Sequence, residues 1–285
     1  MNRNLPIGIF DSGVGGLTVY RALHERLPNE RFVYLGDTAR VPYGTKSLAT
    51  VERYAVENSR FLEARGIKLL VVACNTASAL ALPAISKAVS VPVIGVIEPG
   101  ARAAVEVANA QHGANIGVIA TEATVNSGAY ANAIAALGAK VEVIERACPL
   151  FVALAEEGWA NTDVARIVAK DYLSDFGNTP IAAMVLGCTH YPILREIISE
   201  TVGNEIQLID SGAATAADVE SLLETRSLKH DLGLYQERAL CDDLDNFYVT
   251  DAAERFAKVA ERFLGSAPSI LEAVEIWGHD ELRTH

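Results

Sequence analysis

Cysteine is scarce in this chain of 285 residues, which contains four. No two of them form a C-x-x-C pair and none lies in a tight Cys/His cluster; they are Cys74, Cys148, Cys188 and Cys241. Disulfide frameworks are typical of small secreted domains, so this pattern indicates free thiols in a reducing compartment. A zinc site built on two of the thiols and His190 would lack a clear fourth ligand.

Long apolar runs and an excess of basic charge are also missing. No run approaches the ~20 residues that a transmembrane helix requires, and residues 1–6 lead into the first predicted strand without the apolar core of a secretory signal. The 24 Lys and Arg residues are outnumbered by 36 Asp and Glu residues, which gives a net charge of −12. This balance argues against a nucleic-acid-binding surface. We expect a cytoplasmic protein that contacts neither a membrane nor nucleic acid.

The known nucleotide-binding motifs are incomplete. The stretch Asp11-Ser12-Gly13-Val14-Gly15-Gly16 resembles a dinucleotide loop, but the third glycine of G-x-G-x-x-G would fall at Thr18. No Walker lysine follows, and no lysine stands in a recognisable pyridoxal context. We interpret the stretch as a turn whose backbone N–H groups bind a carboxylate, with a turn of no chemical consequence as the alternative. The sequence therefore predicts no cofactor and no metal.

Short apolar runs alternate with helical patterns along the chain. Strands are predicted at residues 7–10, 32–35, 69–73, 92–97, 141–144 and 246–249. Helices are predicted at residues 17–27, 48–64, 77–89, 126–137, 164–176, 213–223 and 252–264, with a terminal helix within 266–285. This alternation predicts βαβ units with mainly parallel sheets.

The pattern occurs twice. Residues 7–12 are echoed by 116–121, Cys74 by Cys188, and residues 96–101 by 208–213, at offsets of 109, 114 and 112. We infer a duplicated unit and two pseudo-symmetric, doubly wound α/β domains with the active site in the cleft between them. The predicted division is 1–99 plus 210–285 for the first domain and 100–209 for the second.

Cys74 and Cys188 are the strongest candidates for chemistry. A lone cysteine after an apolar run is most often a small buried hydrophobe. Here, however, both thiols are predicted at carboxyl ends of strands, where open α/β sheets bind ligands, and before helix N-termini, whose dipole favours a thiolate. Such a pair can remove a proton from one face of a carbon and return one to the other face, which is racemisation or epimerisation without a cofactor. Asp11, His190 and Glu156 are candidate partners for the thiols or the substrate.

Five motifs carry a family resemblance: residues 11–17 (DSGVGGL), 42–44 (PYG), 73–78 (ACNTAS), 187–192 (GCTHYP) and 209–211 (IDS). In order and spacing, over about residues 5–265, the chain resembles the glutamate racemases of the aspartate/glutamate racemase family. The resemblance implies two pseudo-symmetric domains with glutamate bound between them, no cofactor, and D-glutamate supplied for peptidoglycan synthesis. The family is often dimeric, so the resemblance is compatible with a homodimer, although the sequence itself does not give the oligomeric state.

Residue roles also follow from the resemblance. It implies that Cys74 acts on D-glutamate and Cys188 on L-glutamate, with Asp11 and His190 assisting. Glu156 is implied as an auxiliary residue, although Ala153 replaces the second proline of the family's C-P-L-F-V-P-L motif beside it. Substrate binding is implied for Asp11, Ser12, Tyr43, Gly44, Asn75, Thr76, Thr189 and His190.

Three other functions stay open on the sequence. An aspartate racemase-like enzyme has a similar two-thiol signature, and a non-catalytic amino-acid-binding or regulatory protein would use the same cleft. A thiol hydrolase with a Cys188–His190 pair would leave Cys74 unexplained. Cys148 and Cys241 have no counterpart in the repeat, so we expect both to be structural.

Overall fold

The computed structural model describes residues 2–111, 114–174, 176, 180–230 and 238–276. In the first half, the elements are β1 (Ile7–Asp11), α1 (Leu17–Arg26), β2 (Phe32–Gly36), α2 (Leu48–Ala64), β3 (Leu69–Val72), α3 (Asn75–Ala88), β4 (Val93–Gly95) and α4 (Ile97–Ala110). In the second half they are β5 (Asn115–Ala120), α5 (Glu122–Asn126), α6 (Ala129–Ala136), β6 (Val143–Ala147), α7 (Leu150–Glu156), α8 (Asp163–Leu173), β7 (Ile181–Gly187), α9 (Arg195–Val202), β8 (Gln207–Asp210) and α10 (Ser211–Thr225). The chain then adds β9 (Asn246–Val249), α11 (Ala253–Leu264) and β10 (Leu271–Ala273).

Within the described residues, the strands form two sheets in which every neighbouring pair is parallel. The first sheet has the order β10-β9-β2-β1-β3-β4, and the second has the order β6-β5-β7-β8. The four strands β2-β1-β3-β4 thus follow the same order as β6-β5-β7-β8. The predicted class, two pseudo-symmetric α/β units with parallel sheets, is confirmed. β9 and β10, which follow the second sheet in the chain, extend the first sheet beyond β2.

Helices cover both faces of the sheets, which is why the central strands are apolar throughout. All residues of β1, β2, β3 and β7 are buried. On one face of the first sheet Ile7 and Ile9 belong to a core with α1, and on the other Phe10 and Val72 pack with α2 and α3. In the sheet, β1 lies between β2 and β3, so the strand order reverses at β1. Doubly wound sheets bind ligands at such a reversal, which here lies at the carboxyl ends of β1 and β3.

Two predicted element boundaries are wrong in ways that matter for the site. The helix predicted from residue 77 begins at Asn75, with Cys74 as its N-cap. The strand predicted at 92–97 ends at Gly95, and α4 begins at Ile97, so the Glu98-Pro99-Gly100 stretch lies in the first turn of a helix. Pro99 is tolerated there because backbone N–H groups in a first helical turn have no partner within the helix.

Two predicted helices also differ from the structure. The helix predicted at 126–137 starts three residues late: α6 begins at Ala129, because Gly128 before it adopts a left-handed conformation with φ +62, and Asn126 is instead the last residue of α5. The prediction of a terminal helix within 266–285 is wrong for the described residues, because Leu271–Ala273 is a strand that pairs with β9. Residues 277–285 of that prediction lie outside the described residues. No helix of the described chain is long and apolar enough to cross a membrane.

Candidate active site

A single cavity between the two halves contains most of the predicted site. Its wall includes all of the predicted residues except Asp11: Ser12, Tyr43, Gly44, Cys74, Asn75, Thr76, Glu156, Cys188, Thr189 and His190. Gly13, Val41, Pro42, Thr121 and Val152 complete the wall. The segments after β1, β2 and β3 provide one side, and those after β5, β6 and β7 the other. The topology thus brings together residues up to 178 positions apart, from Ser12 to His190.

Cys74 ends the loop after β3 and caps α3. Its Sγ accepts a hydrogen bond from the backbone N–H of Ala77 at 3.5 Å and lies 3.4 Å from the hydroxyl oxygen of Ser12. Burial and the negative charge of Asp11 raise the pKa of Cys74 to about 12, against the opposing effect of the Ser12 hydroxyl and the helix N-terminus. Without a ligand, this environment favours the neutral thiol.

Asp11 stands at the end of β1, next to the cavity wall. Its Oδ2 accepts a hydrogen bond from the backbone N–H of Gly13 at 2.9 Å. Its Oδ1 is buried and has no hydrogen-bond partner among the described residues. Burial raises the pKa of Asp11, although the charge of His190 and nearby backbone N–H groups oppose the shift. A buried carboxylate oxygen without a partner is costly, so a proton donor brought close to Oδ1 would stabilise this carboxylate.

Cys188 follows β7 in a different setting. Its Sγ lies 3.7 Å from Nδ1 of His190, whose Nε2 lies 3.1 Å from Oε1 of Glu156. The expectation that an α-helix N-terminus follows both thiols is wrong here. A 3-10 helix at Tyr191–Leu194 comes first, and α9 begins only at Arg195. Pro192 and this tight turn separate Cys188 from the N-terminus of α9. The group beside the Cys188 sulfur is therefore His190, whereas the group beside the Cys74 sulfur is the N-terminus of α3.

His190 therefore provides a positive charge beside the second thiol. Burial alone would lower its pKa, but its hydrogen bonds with Cys188 and Glu156 raise the pKa of His190 to about 10. Burial opposes the ionisation of Glu156 as well, yet its contacts with His190 and Arg255 keep the pKa of this carboxyl below its ordinary value. At neutral pH the pair is an imidazolium and a carboxylate, and a cation beside a sulfur stabilises negative charge on it.

Tyr43 lines the cavity, but its hydroxyl is already bonded elsewhere. It donates to Oδ2 of Asp37 and accepts from Nδ2 of Asn58 at 3.0 Å. Asp37 also accepts from Arg40 at 2.7 Å and from Thr250 at 2.9 Å. This buried network holds the 41–44 loop on the side away from the cavity. Tyr43 therefore lines the cavity with its ring and backbone rather than with its hydroxyl, and Gly44 lines it with its backbone.

The polar residues after Cys74 connect the two halves. Asn75 donates from Nδ2 to the hydroxyl of Tyr130 at 2.8 Å. The Thr76 hydroxyl lies 3.0 Å from that of Thr121, which extends from the end of β5. Thr121 was missed as a site residue, although the repeat provides a signal for it: at the offset of 109 it is the counterpart of Ser12.

The remaining cysteines lie away from the cavity wall. Cys148 and Cys241 are buried and all four cysteines are free thiols. Burial raises the pKa of Cys148 to about 12 and that of Cys241 to about 11, and neither side chain is part of the cavity wall. Among the described residues, no group of three or more His, Cys, Asp or Glu side chains is arranged to hold a metal ion.

Comparison with known proteins agrees with this geometry. Residues 7–219 match the family model described as Asp/Glu/Hydantoin racemase. A glutamate racemase of Geobacter metallireducens is 50% identical over 259 residues, which is 91% of this chain and 92% of the relative. A solved glutamate racemase of Francisella tularensis, in complex with D-glutamate, has a TM-score of 0.86 and 40% identity, with 96% of this chain and 98% of that chain covered. The isoform RacE1 of Bacillus anthracis has a TM-score of 0.89 and 36% identity, with 96% and 99% covered.

Proposed function

The chain belongs to the Asp/Glu/Hydantoin racemase family, and we propose that it interconverts L- and D-glutamate without a cofactor. The observation that carries the proposal is that Cys74 and Cys188 extend from equivalent strand ends of two repeated units into one cavity. Two acid–base groups on opposite walls are what inversion at a carbon requires, because the proton must leave from one face and arrive at the other.

In the proposed reaction each thiol acts once per turnover. With L-glutamate bound, the Cys188 thiolate takes the α-proton and becomes a thiol. The electron pair left on the α-carbon then takes the proton of the Cys74 thiol on the opposite face, which leaves Cys74 as a thiolate and releases D-glutamate. D-glutamate reacts in the reverse direction, starting from the Cys74 thiolate.

The two thiols have different surroundings. His190 carries a positive charge beside Cys188, whereas Cys74 is buried next to the carboxylate of Asp11. In the proposed mechanism, L-glutamate reacts with the enzyme form that carries a thiolate at Cys188 and a thiol at Cys74. The negative charge of Asp11 raises the pKa of Cys74, whereas the helix N-terminus lowers it. A cation near Asp11, such as the substrate ammonium, would offset the charge of Asp11 and favour ionisation of Cys74.

Substrate contacts are assigned from the polar groups of the wall. Asp11 lies behind this wall, and we assign its carboxylate to the ammonium group because its buried Oδ1 has no hydrogen-bond partner among the described residues. The hydroxyls of Ser12, Thr76 and Thr189 and the backbone N–H groups of these residues and of Asn75 hold the two carboxylates and stabilise the charge that develops as the proton leaves. Thr121 joins them from the second half, and Tyr43 and Gly44 shape the wall, while His190 and Glu156 serve Cys188.

The wider assignments follow the same proposal. We assign residues 1–99 plus 210–285 to the first domain and 100–209 to the second, a division supported by the pairing of β9 with β2. The substrate is a small molecule, and the product is D-glutamate for peptidoglycan synthesis in the cytoplasm.

The test uses purified protein in deuterium oxide with L-glutamate and no added cofactor. We expect loss of optical rotation together with deuterium at the α-carbon. Cys74→Ser and Cys188→Ser should each lower racemisation at least about 10³-fold, in the range of general acid–base groups, while Cys148→Ser should not. The proposal fails if the wild-type protein gives no inversion with either glutamate enantiomer, or if one of the two site variants racemises normally. Faster turnover of aspartate would instead indicate the aspartate racemase-like alternative.

A further inference from the structure

Helix α11 contacts the Cys188 side of the site, although it packs on the first sheet through α1 and β10. Three of its side chains contact the residues behind Cys188. Arg255 Nη2 lies 3.3 Å from Oε2 of Glu156, and Arg262 donates to the backbone carbonyl of Glu156 at 2.6 Å. The ring of Phe263 meets the ring of His190 edge-on, with centroids 6.1 Å apart. Positions 255, 262 and 263 lie on one face of a helix because they are seven and eight residues apart.

These contacts hold Glu156 at two points. Its Oε1 bonds His190, so its Oε2 is the carboxylate oxygen left for Arg255. Its carbonyl is one of the terminal carbonyls of α7 that have no partner within that helix, and Arg262 supplies one. The direction in which the carboxylate points, and therefore the orientation of the His190 ring, is thus fixed by side chains from the opposite half of the molecule.

In the part of the chain that the structure describes, no equivalent arrangement serves Cys74. Its Sγ contacts are the Ser12 hydroxyl and the N-terminus of α3, both from the first half itself. Resting on the function proposed above, we propose that Arg255 is a positioning residue for the Cys188 half-reaction: through Glu156 and His190 it holds the geometry of proton transfer at Cys188 and leaves transfer at Cys74 unaffected. Arg262 supports it by fixing the end of α7.

Comparing kcat/KM in the two directions cannot test this proposal. L- and D-glutamate have equal free energies, so kcat/KM must be the same from either enantiomer in any variant. The step that limits the rate can still change, and a deuterium isotope effect reports it. If Arg255 serves Cys188 alone, its loss makes proton transfer at Cys188 more rate-limiting and transfer at Cys74 less so.

The experiment measures kcat/KM for Arg255→Met with L- and D-glutamate, each with hydrogen or deuterium at the α-carbon. We expect kcat/KM to fall about 2–5-fold, because Arg255 is 64% exposed and an exposed ion pair is weak. The isotope effect should rise for the enantiomer whose α-proton faces Cys188, which is L-glutamate in the assignment above, and fall for the other. Arg255→Lys should restore part of the loss. Lys258→Met, which removes a charge from the exposed face of the same helix, should change neither quantity.

A double-mutant cycle tests the route through Glu156. If Arg255 acts through this carboxylate, the Glu156→Gln/Arg255→Met variant should be no slower than Glu156→Gln alone. Additive losses, or isotope effects that stay unchanged or move together for both enantiomers, would overturn the inference while leaving the racemase function in place. A wild-type protein that neither inverts nor exchanges glutamate would instead overturn the function itself.

Discussion

Gly15 and His190 meet across the boundary between the two repeated units: a Cβ on Gly15 would lie 2.5 Å from Nδ1 of the His190 ring. Nδ1 is the atom that faces Cys188 Sγ. The same Cβ would lie 2.2 Å from the hydroxyl oxygen of Thr189, and Thr18 donates to the Thr189 carbonyl at 2.8 Å. The glycine-rich turn of the first half is therefore a packing surface for the second thiol's histidine, a role that spacing alone did not indicate.

We expect Gly15→Ala to lower kcat about 100-fold or more while the protein stays folded. The new methyl group must displace the His190 ring or the turn, and a misplacement of about 1 Å in a catalytic group has effects of this size. Steady-state kinetics and circular dichroism measure the two quantities. Gly138→Ala is the matched control: Gly138 has φ +74 but nothing within 4 Å of an added Cβ, so this variant should lose a little stability and keep its activity.

Tyr43→Phe should leave the KM for glutamate within about twofold of wild type and lower the free energy of unfolding by about 0.5–1.5 kcal/mol. The reason is that the Tyr43 hydroxyl bonds to Asp37 and Asn58 behind the loop. The Arg40 and Thr250 hydrogen bonds keep Asp37 satisfied after the hydroxyl is lost. Urea unfolding and substrate titration measure the two effects. A large increase in KM with unchanged stability would mean that the hydroxyl contacts the substrate instead.

The fold was largely predictable because its signals are local and repeated. Apolar runs bounded by glycine and polar residues gave the strands, and the offset between Cys74 and Cys188 gave the duplication. The same signals placed both thiols at strand ends, where the structure has them. The errors occurred where a single residue changes the local conformation, as at Gly128, whose positive φ moves the start of a predicted helix to Ala129.

The rest of the site depends on contacts between distant segments, which spacing does not encode. Arg255 reaches Glu156 from 99 residues along the chain, and Thr250 reaches Asp37 from 213. The different settings of the two thiols were also missed, because the repeat suggested equivalence. A helix N-cap at Cys74 and a histidine pair at Cys188 became visible only in the structure.

Lys68→Met should lower the free energy of unfolding by about 3–5 kcal/mol, because it leaves the buried carboxylate of Glu30 without its cation. The Lys68 side chain is completely buried and its Nζ donates to Glu30, to the Arg3 carbonyl at 2.7 Å and to the Leu228 carbonyl at 2.8 Å. Lys87→Met, at an exposed position of α3, should change stability by less than about 0.5 kcal/mol. An equal, small effect of both variants in denaturant titrations would contradict this reading of the buried pair.

The His190–Glu156 pair should make stability depend on pH in a defined direction. The pKa of His190 is raised to about 10 in the folded protein, whereas an unfolded histidine has a pKa of about 6.5. The folded state therefore holds this proton more tightly, so the stabilisation is complete below about pH 6.5 and is lost as the pH rises through about 10. His190→Gln removes the titrating group and with it this dependence.

We therefore expect wild-type protein to exceed His190→Gln in unfolding free energy by about 1.5–3 kcal/mol near pH 6, the range for hydrogen bonds to charged groups. The difference should shrink steadily between about pH 6.5 and 10 in denaturant titrations of both proteins. Glu156→Gln tests the cause, because it removes the carboxylate bonded to Nε2 of His190. In that background the difference should be smaller and should disappear at a lower pH. A difference that is constant from pH 6 to 10 would mean that His190 is neutral in the folded protein and that it provides no positive charge beside Cys188.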